Sequence, residues 1–142
     1  MAARRGVAMT APGRILVVED DESLREALLE VLGDEGHDVR AAAHGAEALE
    51  ALVALDEWEP ELLVLDLMMP VMDAFEFREH QRQRAVAPAA RVLVLSAARD
   101  LDGAAERLAA DAYLAKPFRL DEMLATVDRL LDDHRAGAAA AR

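Results

Sequence analysis

The distribution of apolar residues along the chain predicts strands that alternate with helices. Three short runs, at residues 15–18, 62–65 and 92–95, are continuously apolar and rich in branched side chains. A strand of a parallel sheet has this pattern when both of its faces are covered, whereas a half-exposed strand alternates apolar with polar residues. Two weaker strand candidates lie at residues 38–42 and 112–115.

Amphipathic helices are predicted between these strands. After Ser23 the apolar residues recur at helical spacing, and Ser23 with Glu26 fits a capping box. We expect Gly36 to stop this helix. The same spacing predicts a helix over residues 46–55 and a last helix from about residue 121 to 132. Strands alternating with helices predict one α/β domain with right-handed crossovers and a parallel sheet.

The ends of the chain set the predicted domain limits. We expect a disordered tail over residues 1–13, the folded domain over 14–133, and a C-terminal tail or linker stub over 134–142, of which residues 136–142 could instead extend the last helix. No apolar segment follows the basic residues near the start, so a secretory signal is not predicted. The longest apolar stretch, residues 62–72, is too short to span a bilayer. A cytoplasmic protein without a membrane partner is predicted.

Composition narrows the classes of partner. Among 142 residues, 28 Asp and Glu outnumber 16 Lys and Arg, which gives a net charge of −12. A uniformly acidic chain repels phosphate backbones, so no direct nucleic-acid partner is expected. The chain has no cysteine, which excludes disulfides, thiolate metal sites and a cysteine nucleophile.

The residues that follow the predicted strands carry the candidate chemistry. They are Glu19, Asp20 and Asp21 after the first strand, Asp66 after the third in chain order, Ser96 after the next, and Lys116 after the last. The carboxyl ends of parallel strands meet at one edge, where ligands bind in open α/β sheets. Carboxylates, a hydroxyl and an ammonium group are therefore expected in one crevice.

Such a set suits phosphoryl transfer. Carboxylates that lie close together repel one another unless a cation is present, and hard oxygen ligands suit Mg²⁺. An ammonium and a hydroxyl group would stabilise the oxygens of a transferring phosphoryl group, and Asp66 could attack it. Taken singly, each residue is an ordinary turn former, helix cap or surface residue. Their joint order after successive strands favours the functional interpretation.

Four segments carry a family resemblance that covers roughly residues 14–131: "ILVVEDD", "LLVLDLMMPVMD", "VLVLSA" and "YLAKPF". In this order they resemble the signature segments of response-regulator receiver domains (CheY-like) of two-component signalling. The resemblance implies a flavodoxin-like fold, with a doubly wound five-stranded parallel sheet of order 2-1-3-4-5 and helices on both faces. It also implies a Mg²⁺ (or Mn²⁺) ion.

The resemblance assigns the metal and acceptor positions. Asp66 is the implied phosphoacceptor and a metal ligand, Asp20 a second direct ligand, and the backbone carbonyl of Met68 a third. Glu19 would act on the metal through water. Asp21 lies one place beyond the acidic pair and is expected to cap the following helix.

The resemblance also assigns a phosphoryl-stabilising and switching set. Ser96 and Lys116 would bond the phosphoryl group, and Tyr113 would turn inward when Ser96 moves towards the phosphate. A cis peptide bond is implied between Lys116 and Pro117.

The implied function is a switch that receives its phosphoryl group from a sensor histidine kinase or a histidine phosphotransfer protein. It catalyses only its own phosphorylation and dephosphorylation, so it is not otherwise an enzyme. Its output would be contact with a downstream protein and could include a phosphorylation-dependent homodimer.

The chain departs from the family pattern in three places. Ala74 stands where glycine is usual, which predicts either strain at Ala74, if that position needs positive φ, or a rearranged loop. Gln81 replaces an apolar residue in an entirely polar stretch, residues 78–84, so the third helix is expected to end early or to pack weakly. The segment 96–113 is shorter than usual, with Ala109 in place of a glycine, which predicts a shortened or displaced fourth helix.

These departures keep an alternative open: a pseudo-receiver that acts as a phosphorylation-independent protein-binding module. A Mg²⁺-dependent phosphohydrolase is disfavoured because Met68 occupies the place of its usual acid/base residue. A dinucleotide-binding domain is disfavoured because no glycine-rich loop follows the first strand.

Overall fold

The computed structural model of the chain describes residues 11–54, 58–69, 71–97 and 103–140. Within these ranges strands and helices alternate in the order β1 Arg14–Val18, α1 Glu22–Asp34, β2 Asp38–Ala42, α2 Gly45–Ala54, β3 Leu62–Asp66, α3 Ala74–Arg84, β4 Arg91–Ala97, α4 Ala104–Leu108, β5 Ala112–Lys116 and α5 Leu120–Ala140. Both the strong and the weak strand candidates form strands.

The strands make one five-stranded sheet of order β2-β1-β3-β4-β5, in which all neighbours are parallel. The predicted sheet order is confirmed. In this register Val18 lies opposite both Ala42 and Leu65, and Asp66 lies opposite Leu95. The carboxyl ends of β1 and β3 therefore lie side by side near the centre of the sheet.

Helices cover both faces of the sheet, which explains the continuously apolar strands. Ile15 and Val17 of β1 belong to an apolar cluster with α1 and α5. Leu16 and Val18 belong to a second cluster, which includes residues of α2, α3 and α4. Since side chains alternate between the faces of a strand, every position of a doubly covered strand must be apolar.

The start of α1 corrects one prediction and confirms another. Asp21 is the N-cap, and its side chain accepts a hydrogen bond from the backbone N–H of Leu24 at 3.2 Å. Ser23 lies inside the helix, so the capping box predicted for Ser23 and Glu26 is wrong. The helix stops as expected at Gly36, which adopts a left-handed φ of 96°.

The loop from β3 to α3 has the second of the two expected arrangements. Ala74 is buried at the start of α3 and does not have positive φ, so it carries no backbone strain. The left-handed residue is Val71, with φ 68°. A capping box between Asp73 and Glu76 begins the helix.

The polar third helix does not end early. It continues to Arg84, and Gln81 is buried within it. The side-chain amide of Gln81 donates to the backbone carbonyl of Ala87 at 3.0 Å. A buried amide is tolerated because its hydrogen bonds are made within the protein.

The fourth helix is short, as predicted. It spans five residues and ends at Ala109, which adopts a left-handed φ of 55° in place of the usual glycine. Residues 98–102 of the shortened segment lie outside the described residues.

The last helix runs past residue 132 to Ala140, so of the two alternatives for the end of the chain the structure has the extended helix. Its extension is anchored by Glu61, a buried residue just before β3. Glu61 Oε2 lies 3.4 Å from Arg135 Nε and 4.0 Å from His134 Nε2, and Oε1 accepts the backbone N–H of Arg14 at 3.0 Å. Residues 1–10 and 141–142 of the predicted tails lie outside the described residues.

None of the helices in the described ranges has the length and apolar content that a bilayer crossing requires.

We predict that Glu61→Ala lowers the free energy of unfolding by about 1–3 kcal/mol, because the Arg14 N–H and the guanidinium of Arg135 on α5 lose a common acceptor. Chemical denaturation measures this loss, and amide exchange should become faster over residues 134–140. The control is Glu59→Ala, because Glu59 is exposed and only its backbone carbonyl contacts Arg14. Equal losses in the two variants would contradict the anchoring role.

Candidate functional site

Three carboxylates meet at the carboxyl edge of the sheet. Glu19 and Asp20 follow β1, and Asp66 is the last residue of β3. One carboxylate oxygen from each lies within 4.8 Å of the others. The side-by-side pairing of β1 with β3 brings these residues together from distant parts of the sequence.

Lys116 places a positive charge against this cluster. It ends β5, and its Nζ donates hydrogen bonds to Glu19 Oε1 at 3.0 Å and to Asp66 Oδ1 at 3.3 Å. The peptide bond between Lys116 and Pro117 is cis. The lysine therefore bridges two carboxylates that would otherwise repel each other.

Glu19 is fixed by hydrogen bonds to both its side chain and its backbone. Its side chain is 1% exposed, and Oε2 accepts the backbone N–H of Asp21 at 3.1 Å while Oε1 accepts from Lys116. Its backbone N–H donates to the carbonyl of Ala42 on β2 at 3.1 Å. Both carboxylate oxygens of Glu19 therefore already accept hydrogen bonds within the protein.

Burial and the excess of negative charge in this cluster act on the pKa of Asp66. Burial, a hydrogen bond with Asp20 and repulsion by Glu19 raise the pKa of Asp66 to about 8, although Lys116 acts in the opposite direction. The pKa of Asp20 is lowered: burial opposes this shift, but hydrogen bonds from Asp66 and Glu19 outweigh it. Of these two carboxyl groups, Asp66 is therefore the one whose pKa favours the protonated form. A site that retains a proton for lack of positive charge fits a hard divalent cation bound by oxygen atoms.

Of the other predicted site residues, Ser96 and Met68 lie at the same edge, whereas Tyr113 lies near the start of β5 and away from it. Ser96 is buried on β4, one residue beyond the partner of Asp66, and lies opposite Ala115. Met68 follows β3, and its side chain is exposed. Tyr113 on β5 lies opposite Val94 and is 56% exposed.

One residue at the site was missed by the sequence analysis. Arg25, in the first turns of α1, donates to the backbone carbonyls of Glu19 at 2.9 Å and of Asp20 at 3.5 Å. It supports the backbone of the acidic pair and brings a second cation near it. The available signal was that Arg25 is the lone basic residue between Glu19 and Glu30.

A parallel sheet of order 2-1-3-4-5 with an acidic cluster and a lysine at its carboxyl edge defines a receiver-type fold. The family model of the response regulator receiver domain matches residues 15–128. The chain belongs to the response-regulator receiver family.

Known proteins with similar sequences and structures agree with this assignment. The chain is 42% identical over 139 residues to the response regulator MprA of Mycolicibacterium vanbaalenii, covering 92% of this chain and 57% of the relative. It therefore spans little more than half the length of that relative.

Two solved structures share the fold. The chemotaxis protein CheY4 of Vibrio cholerae has a TM-score of 0.72 at 29% identity, covering 84% of this chain and 99% of that chain. The response regulator TrrA of Thermotoga maritima, solved in complex with Mg²⁺ and BeF, has a TM-score of 0.71 at 32% identity, covering 83% and 98%.

We predict that Asp66→Asn stabilises the metal-free domain at neutral pH. Burial raises the pKa of Asp66 from 3.8 to about 8 in the folded domain. The protonated carboxyl group therefore favours the folded state fully below about pH 4, and this contribution to the free energy of unfolding is lost as the pH rises to 8. The Asn side chain does not titrate. The free energy of unfolding of the variant should therefore exceed that of the unaltered protein by an amount that grows over this pH range and passes about 1 kcal/mol at pH 8. Urea denaturation in a chelator at pH 5 and pH 8 tests this, and an advantage that does not grow with pH would contradict the charge imbalance.

Proposed function

We propose that this domain accepts a phosphoryl group on Asp66 and thereby switches a protein-interaction surface. The observation that carries the proposal is the placement of Asp66: its buried carboxylate lies beside two further carboxylates and 3.3 Å from the ammonium of Lys116. This combination provides a nucleophile, a cation site and a positive group for the phosphoryl oxygens in one crevice.

We propose that Mg²⁺, or Mn²⁺, takes part. Asp20, Asp66 and the backbone carbonyl of Met68 would hold the ion, and Glu19 would reach it through water. The clustered oxygens and the raised pKa of Asp66 support this role, because a dication would replace the proton that Asp66 retains. When bound, the ion neutralises charge that develops on the phosphoryl oxygens.

The residues of the chain would carry out the transfer as follows. A carboxylate oxygen of Asp66 attacks the phosphorus of a phosphohistidine, forming an O–P bond. The N–P bond of the donor breaks, and its electron pair stays on the imidazole nitrogen. Lys116 and the hydroxyl of Ser96 would bond the phosphoryl oxygens in the acyl phosphate product.

The phosphoryl donor would be a sensor histidine kinase or a histidine phosphotransfer protein, and the response would be read by a downstream protein. Ser96 would move towards the phosphate, and the exposed ring of Tyr113 would turn inward. The phosphate bonds favour one of two pre-existing arrangements, which is the general basis of such a switch. A cytoplasmic location, the lack of direct nucleic-acid contact and a phosphorylation-dependent homodimer stay predictions.

We predict that Asp66→Asn abolishes labelling by acetyl phosphate in the presence of Mg²⁺ and leaves the domain folded. The amide lacks the nucleophilic oxygen but has nearly the same shape. Intact-protein mass spectrometry measures the acyl phosphate. Asp21→Asn is the matched control and should label normally, because Asn also caps helices.

Labelling of Asp66→Asn to the level of the unaltered protein would contradict the acceptor assignment. If the unaltered protein itself takes no phosphoryl group, the pseudo-receiver alternative is favoured.

We predict that Asp20→Asn weakens Mg²⁺ binding at least about tenfold, since it removes one direct carboxylate ligand. Asp21→Asn should change the affinity less than about twofold, because Asp21 points its carboxylate at the N–H of Leu24 instead of at the cluster. A Mg²⁺ titration of each variant makes the comparison. Equal effects would show that the ligand register is wrong.

A further inference from the structure

Helix α4 is too short to be stable by its own hydrogen bonds. It has five residues, and isolated helices of this length do not form in water. Its described core contacts are Ala104 and Leu108, both buried against the sheet. Interactions from outside the helix must therefore fix the position of its exposed end.

Arg78 of α3 supplies such interactions at the C-terminal end of α4. Its Nε donates to the backbone carbonyl of Leu108 at 2.8 Å, and a terminal nitrogen lies 3.4 Å from the carbonyl of Ala109. The last carbonyl groups of a helix have no partner within the helix, and the negative end of the helix dipole attracts a cation. One guanidinium group thus satisfies both needs.

Gln81 fixes the direction in which Arg78 points. The other terminal nitrogen of Arg78 donates to Gln81 Oε1 at 2.6 Å, and Gln81 Nε2 donates to the carbonyl of Ala87 at 3.0 Å. A continuous chain of hydrogen bonds therefore runs from the α3–β4 loop through α3 to the end of α4. Burial lowers the pKa of Arg78, which reflects partial removal of the guanidinium from water. The polar residues that depart from the family pattern in α3 form this chain.

A second arginine, which belongs to α4, contacts α3. Arg107 of α4 places its guanidinium over the ring of Phe75 of α3, 4.2 Å from the ring centroid. This contact is of the cation–π type. With Arg78 it holds α4 against α3 along both sides of a groove of about 200 Å³.

We propose that Arg78 is a positioning residue that holds α4 in the arrangement with Tyr113 turned outward, and so opposes the switch. The proposal rests on the function proposed above. Only residues 110–112 separate Ala109 from Tyr113, so the end of α4 and the start of β5 move as neighbours. Bonds made in one of two arrangements favour that arrangement and lower the affinity of any ligand that prefers the other.

The test compares Arg78→Met and Arg78→Lys with the control Arg82→Met, all in the full chain. Arg82 lies one turn further along α3, lines the same groove, and pairs through its side chain with the exposed Glu79. Methionine keeps most of the length of the side chain but has no donor, whereas lysine keeps the charge and can bond one carbonyl. Thermal unfolding checks that each variant is folded.

The first measurement is amide exchange at residues 107–110 without any phosphate analogue. Arg78→Met should exchange about tenfold faster there, Arg78→Lys by less, and Arg82→Met like the unaltered protein. The second measurement is the affinity for beryllofluoride with Mg²⁺. It should become about three- to tenfold tighter in Arg78→Met, intermediate in Arg78→Lys, and change less than about twofold in Arg82→Met.

Unchanged exchange would show that Arg78 does not hold α4. If Arg78→Met exchanges faster but binds beryllofluoride with unchanged or weaker affinity, then Arg78 only holds the helix in place, and its proposed role in the switch is overturned. If the unaltered protein binds no beryllofluoride, the proposed function fails and the role in the switch fails with it. The exchange measurement would then decide separately whether Arg78 holds the helix. If Arg78→Met does not fold, Arg78→Lys carries both measurements.

Discussion

The site depends on one electrostatic conflict: three carboxylates share a crevice with one buried ammonium contact. Glu19 and Asp66 each accept from Lys116, and Asp20 and Asp66 compete for one proton. Folding brings these charges together at a cost, because Glu19 and Asp66 are removed from water and all three carboxylates are placed near like charges. The cost is offset by the core beneath them, where β1 and β3 are almost completely buried. The domain is thus most stable when a cation or a proton completes the cluster.

The same sheet explains why the cluster is well defined. Central parallel strands present their carboxyl ends side by side, and their residues are fixed by packing on both faces. Glu19 receives a backbone bond from its own helix start and donates one to β2, so its side chain cannot swing away from Lys116. Groups held in this way lose little mobility when a ligand arrives, which favours binding and transfer.

Local patterns predicted most of the fold, because strand and helix signals are local and the acidic and basic residues follow the strands directly. Predictions failed or stayed open where distant residues decide the outcome. The length of α5 depends on Glu61, and the course of α3 depends on bonds from Gln81 to the next loop. Between strain at Ala74 and a rearranged loop the sequence could not decide, and the loop places its left-handed residue at Val71. Arg25 was missed because its contacts are with backbone carbonyls, so its isolated positive charge was the only mark of them in the sequence.

Two buried carboxylates, Glu61 and Asp66, differ in how far neighbouring cationic side chains compensate their charge, and this difference distinguishes a structural role from a functional one. Glu61, at the amino edge of the sheet, lies beside two arginines, Arg14 and Arg135, so its negative charge is compensated by the protein itself. Asp66, at the carboxyl edge, has one cationic partner and two acidic neighbours. A compensated carboxylate has no free energy to gain from an added cation and serves to tie helices to strands. An uncompensated carboxylate is available to a ligand of opposite charge, and such a ligand can approach Asp66 from solvent because Asp20 in the same cluster is exposed.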